Sequence, residues 1–176
     1  MPNAIQAKQR IYLEVAKAKK EDLNKWKRGV SIELRAGETI GSLAKKAYEF
    51  RVRLAASFLK DARREASRAK PCYRIVIGRG YYAMYHAVRA LVYLRHGGDD
   101  HESHSTVARN LPDDFPDRAD WINRFGNARL DRNRADYDPF PLRDASYKAA
   151  ALRVLSDASE LSDVIMAYLQ SKGVTI

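Results

Sequence analysis

The densest apolar stretch runs from Ile75 to Tyr93, IVIGRGYYAMYHAVRALVY, and contains no proline. Ile77, Tyr81, Met84, Val88, Leu91 and Val92 recur there at steps of three and four, the period of a buried helix face. Tyr82 and Tyr85 widen that face until little of the circumference is polar. A helix of this kind needs neighbours on most sides, so the pattern predicts the centre of a bundle. At about 1.5 Å per residue it spans roughly 28 Å, the height of a small domain. Ahead of it, residues 4–28 carry a loose stripe of Ile5, Ile11, Tyr12, Val15, Leu23 and Trp26, with Gly29 expected to end the helix. Val30–Leu34 alternates like a strand but has no partner strand, and reads as a connector. Residues 38–69 predict a long helix with Leu43, Ala47, Phe50, Leu54, Phe58 and Ala62 on its buried side. Lys70-Pro71 breaks it, because the residue before proline is pushed out of the helical region. The central helix is expected to stop at Gly97-Gly98, followed by a polar connection with a short helix over Thr106–Asn110. Residues 117–137 predict a further helix on Ala119, Trp121, Ile122, Phe125 and Leu130, stopped by Asp138-Pro139. Residues 141–172 predict the last, with Tyr147, Ala151, Val154, Leu155, Leu161, Ile165 and Leu169 inward. The fold class predicted is all-α, an antiparallel helical bundle of about five helices joined by short loops.

Composition narrows this little, but charge divides it. The 176 residues are 45% hydrophobic, enough for a packed core and too much for wholesale disorder. A single cysteine, Cys72, excludes an internal disulfide and a multi-cysteine zinc site, and fits a reducing cytoplasm. Arg79, His86 and Arg89 interrupt the best apolar run, so no membrane span is expected, and MPNAIQAKQR offers no apolar signal region. Residues 1–70 hold 18 Lys and Arg against 8 Asp and Glu, whereas residues 71–176 hold 14 of each. The entire positive excess therefore lies in the N-terminal part. It predicts either a solvated basic helix face or attraction to a polyanion or an acidic partner. Lys45, Lys46, Arg51, Arg53, Arg63, Arg64 and Arg68 lie on the exposed side predicted for the second helix.

Three groups of residues could carry chemistry. Gly78-Arg79-Gly80 lacks the strand and the Lys-Ser/Thr of a phosphate loop, and reads as small residues that admit a neighbouring helix. Asp99, Asp100, His101, Glu102 and His104 are dense in potential metal ligands. A Gly-Gly loop offers little of the rigidity that a metal site needs, so no metal is assigned and His104 reads as a loop anchor. The segment Arg129-Leu130-Asp131-Arg132-Asn133-Arg134-Ala135-Asp136-Tyr137-Asp138 is the sharpest. Arg132 and Asp136 can pair across one turn, while the cluster of guanidiniums beside an amide could equally hold a phosphate.

RGYYAMYHAVRAL (79–91), a glycine-containing loop with His104, and RNRADYDP (132–139) together resemble the HEPN superfamily, in particular a small prokaryotic group. The resemblance covers about residues 54–170. It implies a helical bundle, commonly a homodimer, that binds RNA or nucleotide. Some members are metal-independent endoribonucleases of toxin–antitoxin or defence systems, and several have a small nucleotidyltransferase as antitoxin partner. The ribonuclease motif of the family is an Arg, often followed by a polar residue, with a His a few residues later. Arg132-Asn133 match its start. Tyr137 stands where the shortest form has His, and no His follows within reach. Attack by a ribose 2′-hydroxyl needs a group that accepts a proton near neutral pH, which His supplies and an unperturbed Tyr does not. A looser pair, Arg79 and His86, lies on the central helix and reads as buried polar packing or coincidence.

The sequence thus predicts a basic helical extension at 1–50 and a HEPN-like bundle at 51–176. It is expected to be a cytoplasmic RNA- or nucleotide-binding protein with a degenerate catalytic motif. Arg132, Asn133 and Tyr137 are the candidate catalytic residues. Arg129, Arg134, Lys45, Lys46, Arg63 and Arg64 are the candidate nucleic-acid contacts, and no cofactor is implied. The alternative is a non-enzymatic protein that docks an acidic protein partner through its basic N-terminal helices.

Overall fold

A computed structural model describes residues 14–174, and the expected positions Ile5, Ile11 and Tyr12 lie outside them. The chain packs as two units, residues 1–45 and 46–176. In the first, α1 spans Lys20–Ala36 and buries none of its residues. Gly29 does not end it, and Val30–Leu34 is helical rather than a connector. The stop comes at Gly37, whose left-handed backbone (φ 67°) lets its N–H reach the Glu33 carbonyl at 2.8 Å. Gly29 has a helical turn on either side of it and only weakens the helix there. The next helix begins with Thr39 Oγ1 accepting the Ser42 N–H, and Glu33 Oε1 accepting that of Ile40.

α2 spans Ile40–Ala66, and from Lys46 onward its residues belong to the second unit. It buries Tyr48, Ala55, Leu59 and Ala62. Phe50 and Leu54, expected inward, are 59% and 43% exposed. The helix carries apolar residues on two adjoining faces, and the inward one is the face whose alanines admit close packing. α3, Tyr73–His96, is the central helix, with twelve buried residues from Val76 to Val92. Its main partners are α5 (Lys148–Ser171) and α4 (Arg118–Tyr137). All three share one core with Ala55 and Leu59 of α2, built on Tyr81, Met84, Val88, Leu91, Trp121, Phe125, Val154, Leu161 and Ile165. The all-helical prediction holds, and among the described residues there is no strand. A Cβ on Gly80 would lie 2.9 Å from Val154 Cγ1, so the glycine sets how closely α3 meets α5.

One buried face and one boundary differ from the expectation. α4 turns Trp121, Phe125, Ala128, Asp131 and Ala135 inward, and leaves Ala119 and Leu130 exposed. Asp131, paired with Arg153 at 2.6 Å, interrupts the apolar stripe and hides its phase in the sequence. The last helix starts at Lys148, not 141, after a 3-10 turn over Asp144–Tyr147. Asp144 is spent on α3: its carboxylate accepts the N–H groups of Tyr73 at 2.6 Å and Arg74 at 3.1 Å. These are first-turn donors that Cys72 at the cap does not satisfy with its own side chain. Asp144→Ala should therefore cost about 1–2 kcal/mol in urea denaturation, the usual loss for a helix cap. An unchanged midpoint would show the cap to be dispensable. No helix of the described residues is long and apolar enough to cross a membrane.

Candidate functional site

The C-terminal turn of α4 is held against the first turns of α3 by Arg74. Its guanidinium stacks over Tyr147 at 4.3 Å and donates to the carbonyls of Ala135, Asp138 and Pro141. Backbone fixed at these carbonyls gives the Arg132 turn a defined position. Arg132 forms the expected ion pair with Asp136, Nε to Oδ2 at 2.7 Å, although the angle does not make it a hydrogen bond. Its Nη2 donates to Tyr82 Oη of α3 at 2.9 Å, and its Nη1 lies near Asn133 Oδ1 at 3.3 Å and Tyr137 Oη at 3.4 Å. The guanidinium also lies over the rings of Tyr82 and Tyr137, at 5.5 and 5.2 Å. Burial opposes its charge. The hydrogen bond to Tyr137 and the carboxylate of Asp136 outweigh that cost, and Arg132 stays a cation with its pKa held above the ordinary value. Three of the residues singled out from sequence, Arg132, Asn133 and Tyr137, are thus in contact, and Tyr82 joins them.

The loop after α3 brings a second group to the same place. His104 stacks on Tyr85 with ring centroids 3.9 Å apart and planes 9° from parallel. Its Nδ1 lies 2.7 Å from Tyr81 Oη, and the ring of Tyr82 meets it edge-on at 6.2 Å. Burial first, then the positive charges of Arg132, Arg89 and Arg129, lower its pKa below the usual histidine value. The shift favours the neutral imidazole. The loop is better fastened than its Gly-Gly start suggested. Arg89 of α3 grips Asp99 with two nitrogens, reaches Glu102, and donates to Tyr85 Oη at 2.9 Å, while Arg51 of α2 adds a contact to Asp99 at 3.3 Å. Tyr85 Oη donates in turn to the Glu102 carbonyl at 2.7 Å. Asp99 and Glu102 are thus occupied by arginine.

Two open pockets are lined by neighbours of Arg132, although not by Arg132 itself. One, of about 330 Å³, is lined by Arg74, Ile75, Gly78, Arg79, Tyr82 and Asp136. The other, of about 620 Å³, is lined by Tyr85, Arg89, Glu102, Ser103, His104, Ser105 and Arg129. Both volumes are in the range of sites that take small ligands.

The remaining predicted residues are placed differently. Arg129 lies one turn before Arg132, on the His104 side, and Arg134 is exposed at the end of α4. Arg63 donates to Ser159 Oγ at 3.0 Å and Arg64 pairs with Asp61 at 2.8 Å, so neither lines the two pockets. Lys46 is exposed at the start of this unit, and Lys45 belongs to the other one. Arg79 and His86 both pack on Phe58, each about 5.4 Å from its ring centre. Burial, with the charges of Arg51 and Arg89, pulls His86 down to about 4, a neutral ring in a packed position. Sequence reasoning missed Tyr82 as a partner of Arg132 and the meeting of His104 with the α4 arginines. The loop that carries His104 has no periodicity from which its path could be read.

A family model described as HEPN domain matches residues 48–168. No curated protein and no solved structure matches the chain.

Proposed function

The chain belongs to the HEPN family, and from that premise we propose that it binds RNA or nucleotide through phosphate at the end of α4. The observation that carries this reading is the state of Arg132. Its side chain is 19% exposed and held by Tyr82, Asn133 and Tyr137, and its partners Tyr82 and Asp136 line an open pocket. A guanidinium fixed beforehand in this way loses little freedom on binding, and it meets a phosphate by exchanging the long Nη1 contacts to Asn133 and Tyr137 for phosphate oxygens. Arg129, one turn before Arg132, adds a second positive charge on that side of α4, and Arg134 adds one on the other flank of the helix end. Asn133 and Tyr137 present further polar groups at its edge. Ile75, Phe140 and Leu142 are exposed around the same helix end, and Tyr137 is 70% exposed. This apolar rim supports a homodimer in which two such ends face each other. The basic residues 1–50 are an extension to the domain that adds to its attraction for polyanions. The biological setting proposed is a prokaryotic toxin–antitoxin or defence pair in the cytoplasm, with a nucleotidyltransferase as neutralising partner.

Fluorescence anisotropy with labelled single-stranded RNA in excess EDTA tests the binding. Arg132→Ala should lose about 2 kcal/mol, roughly a thirtyfold weakening, as for other charge-assisted hydrogen bonds. It should also flatten the salt dependence by roughly 0.7 in slope for each phosphate left without its cation. Wild-type affinity in Arg132→Ala would remove this site from the reading.

A further inference from the structure

We infer that His104, carried by the loop after α3, is the proton acceptor for metal-independent RNA cleavage beside Arg132. The inference rests on the RNA-binding reading above and deepens it. The α4 segment holds a tyrosine where proton transfer calls for an imidazole, and the fold supplies an imidazole from another element. Three features of the geometry suit His104 to the task. Its orientation is fixed by the Tyr85 stack and by Tyr81 at Nδ1, which leaves Nε2 as the nitrogen open to a ligand. The residue is exposed as a whole, with the Nδ1 edge of its ring covered by Tyr81 and one ring face by Tyr85, and it lines the same open pocket as Arg129. Tyr82 carries both partners, with the imidazole against its ring edge at 6.2 Å and the Arg132 guanidinium on its hydroxyl at 2.9 Å. The imidazole and the guanidinium are therefore both held on Tyr82, and the inference places a ribose and its 3′-phosphate against the two of them.

The chemistry needs no further reagent. Nδ1–H of His104 donates to Tyr81 Oη, and Nε2 accepts the proton of the ribose 2′-hydroxyl. The 2′-oxygen bonds to phosphorus as the bond from phosphorus to the 5′-oxygen breaks. Arg132 stabilises the charge that gathers on the non-bridging oxygens. The departing 5′-oxygen takes a proton from water, and the imidazolium returns its own to water. The products are a 2′,3′-cyclic phosphate and a 5′-hydroxyl. The groups around His104 favour the neutral, accepting form. They are Tyr81, Tyr82, Tyr85 and Arg89 on α3, Glu102 on the loop, and Arg129 and Arg132 on α4, with burial and the arginines outweighing Glu102. Burial keeps the Tyr81 phenol protonated.

The test follows cleavage and binding side by side in excess EDTA, with labelled single-stranded RNA and its all-DNA counterpart as probes. Wild type should cut the RNA only and leave 2′,3′-cyclic phosphate ends. His104→Ala and His104→Gln should each cut about 100-fold more slowly or worse, the usual worth of a general base, and keep wild-type RNA affinity. Added imidazole should restore part of the His104→Ala rate. The wild-type rate should climb with pH through a midpoint below the ordinary histidine value of 6.5, since the His104 pKa is lowered from it. Undiminished cleavage by both His104 variants overturns the inference. So does a wild type that binds RNA through Arg132 but leaves it whole, a result that would keep the binding reading. A wild type that does not bind RNA overturns both.

Discussion

Replacing Arg89 with methionine is expected to lower stability by about 3 kcal/mol, and to loosen the loop that carries His104 before the rest of the domain unfolds. The side chain is 16% exposed and serves three partners at once: both oxygens of Asp99, the Glu102 carboxylate and the Tyr85 hydroxyl. Methionine keeps most of the aliphatic volume but leaves Asp99 half-served. Arg51 remains at 3.3 Å, and Asp99 is 34% exposed, so the loss should fall at the low end for a broken buried pair. The pH dependence has a defined sign. Arg89 above all holds the Asp99 carboxyl below its ordinary value of 3.8. The contribution of the pair is complete above that pH and is lost as pH falls through the lower folded value. Urea midpoints at pH 7 and pH 3 should therefore differ less in the variant than in wild type. Amide exchange over residues 98–105 should accelerate more than exchange in α3 or α5. Equal midpoints for both proteins at pH 7 would mean that the loop is held by its ring stack alone.

Trp121→Ala should cost about 4 kcal/mol, the largest single loss expected in the domain. Trp121 is 2% exposed, on the first turn of α4, and packs in the core that includes Tyr81 and Met84. The Arg124 guanidinium covers its ring at 4.0 Å, adding a cation–π contact on the outer side. Arg124 keeps Asp157 and Glu160 in the variant, so the loss comes from the cavity and the bare ring site. Trp121→Phe should recover much of it. Arg132 lies eleven residues further along α4, about 16 Å away, and sites so far apart act independently. RNA affinity measured at low temperature, where Trp121→Ala is still folded, should match wild type. A parallel loss of affinity would mean that α4 moves as a rigid lever.

The sequence showed most clearly those features whose physics is local. Ile75–Tyr93 announces its place because no polar face remains to turn toward water, and Pro71 and Pro139 end helices by steric rules that need no partner. Arg132, Asn133 and Tyr137 could be grouped because one helix brings them together at steps of one and five residues. The misread features depended on neighbours. Gly29 looked like a stop until Gly37, in the left-handed conformation, proved to be the one that closes the turn. Phe50 and Leu54 followed a valid helical stripe on the face of α2 that the core does not use. Asp144 looked like part of a helix because nothing nearby in sequence shows that it serves α3, some seventy residues earlier. His104 was visible only as one of several polar residues in a loop. Its stacking on Tyr85 and its approach to the α4 arginines exist only once three elements have met.

Tyr81 and Tyr82 are neighbours in the chain, one holding the imidazole of His104 and the other the guanidinium of Arg132. The separation of those two groups is thus set by a single peptide step on the best-buried helix, as if on a ruler. The loop after α3 and the end of α4 supply the two groups, but the helix supplies the interval between the hydroxyls that receive them. A chain that lost one of the two hydroxyls would lose its measure of distance before it lost either functional group.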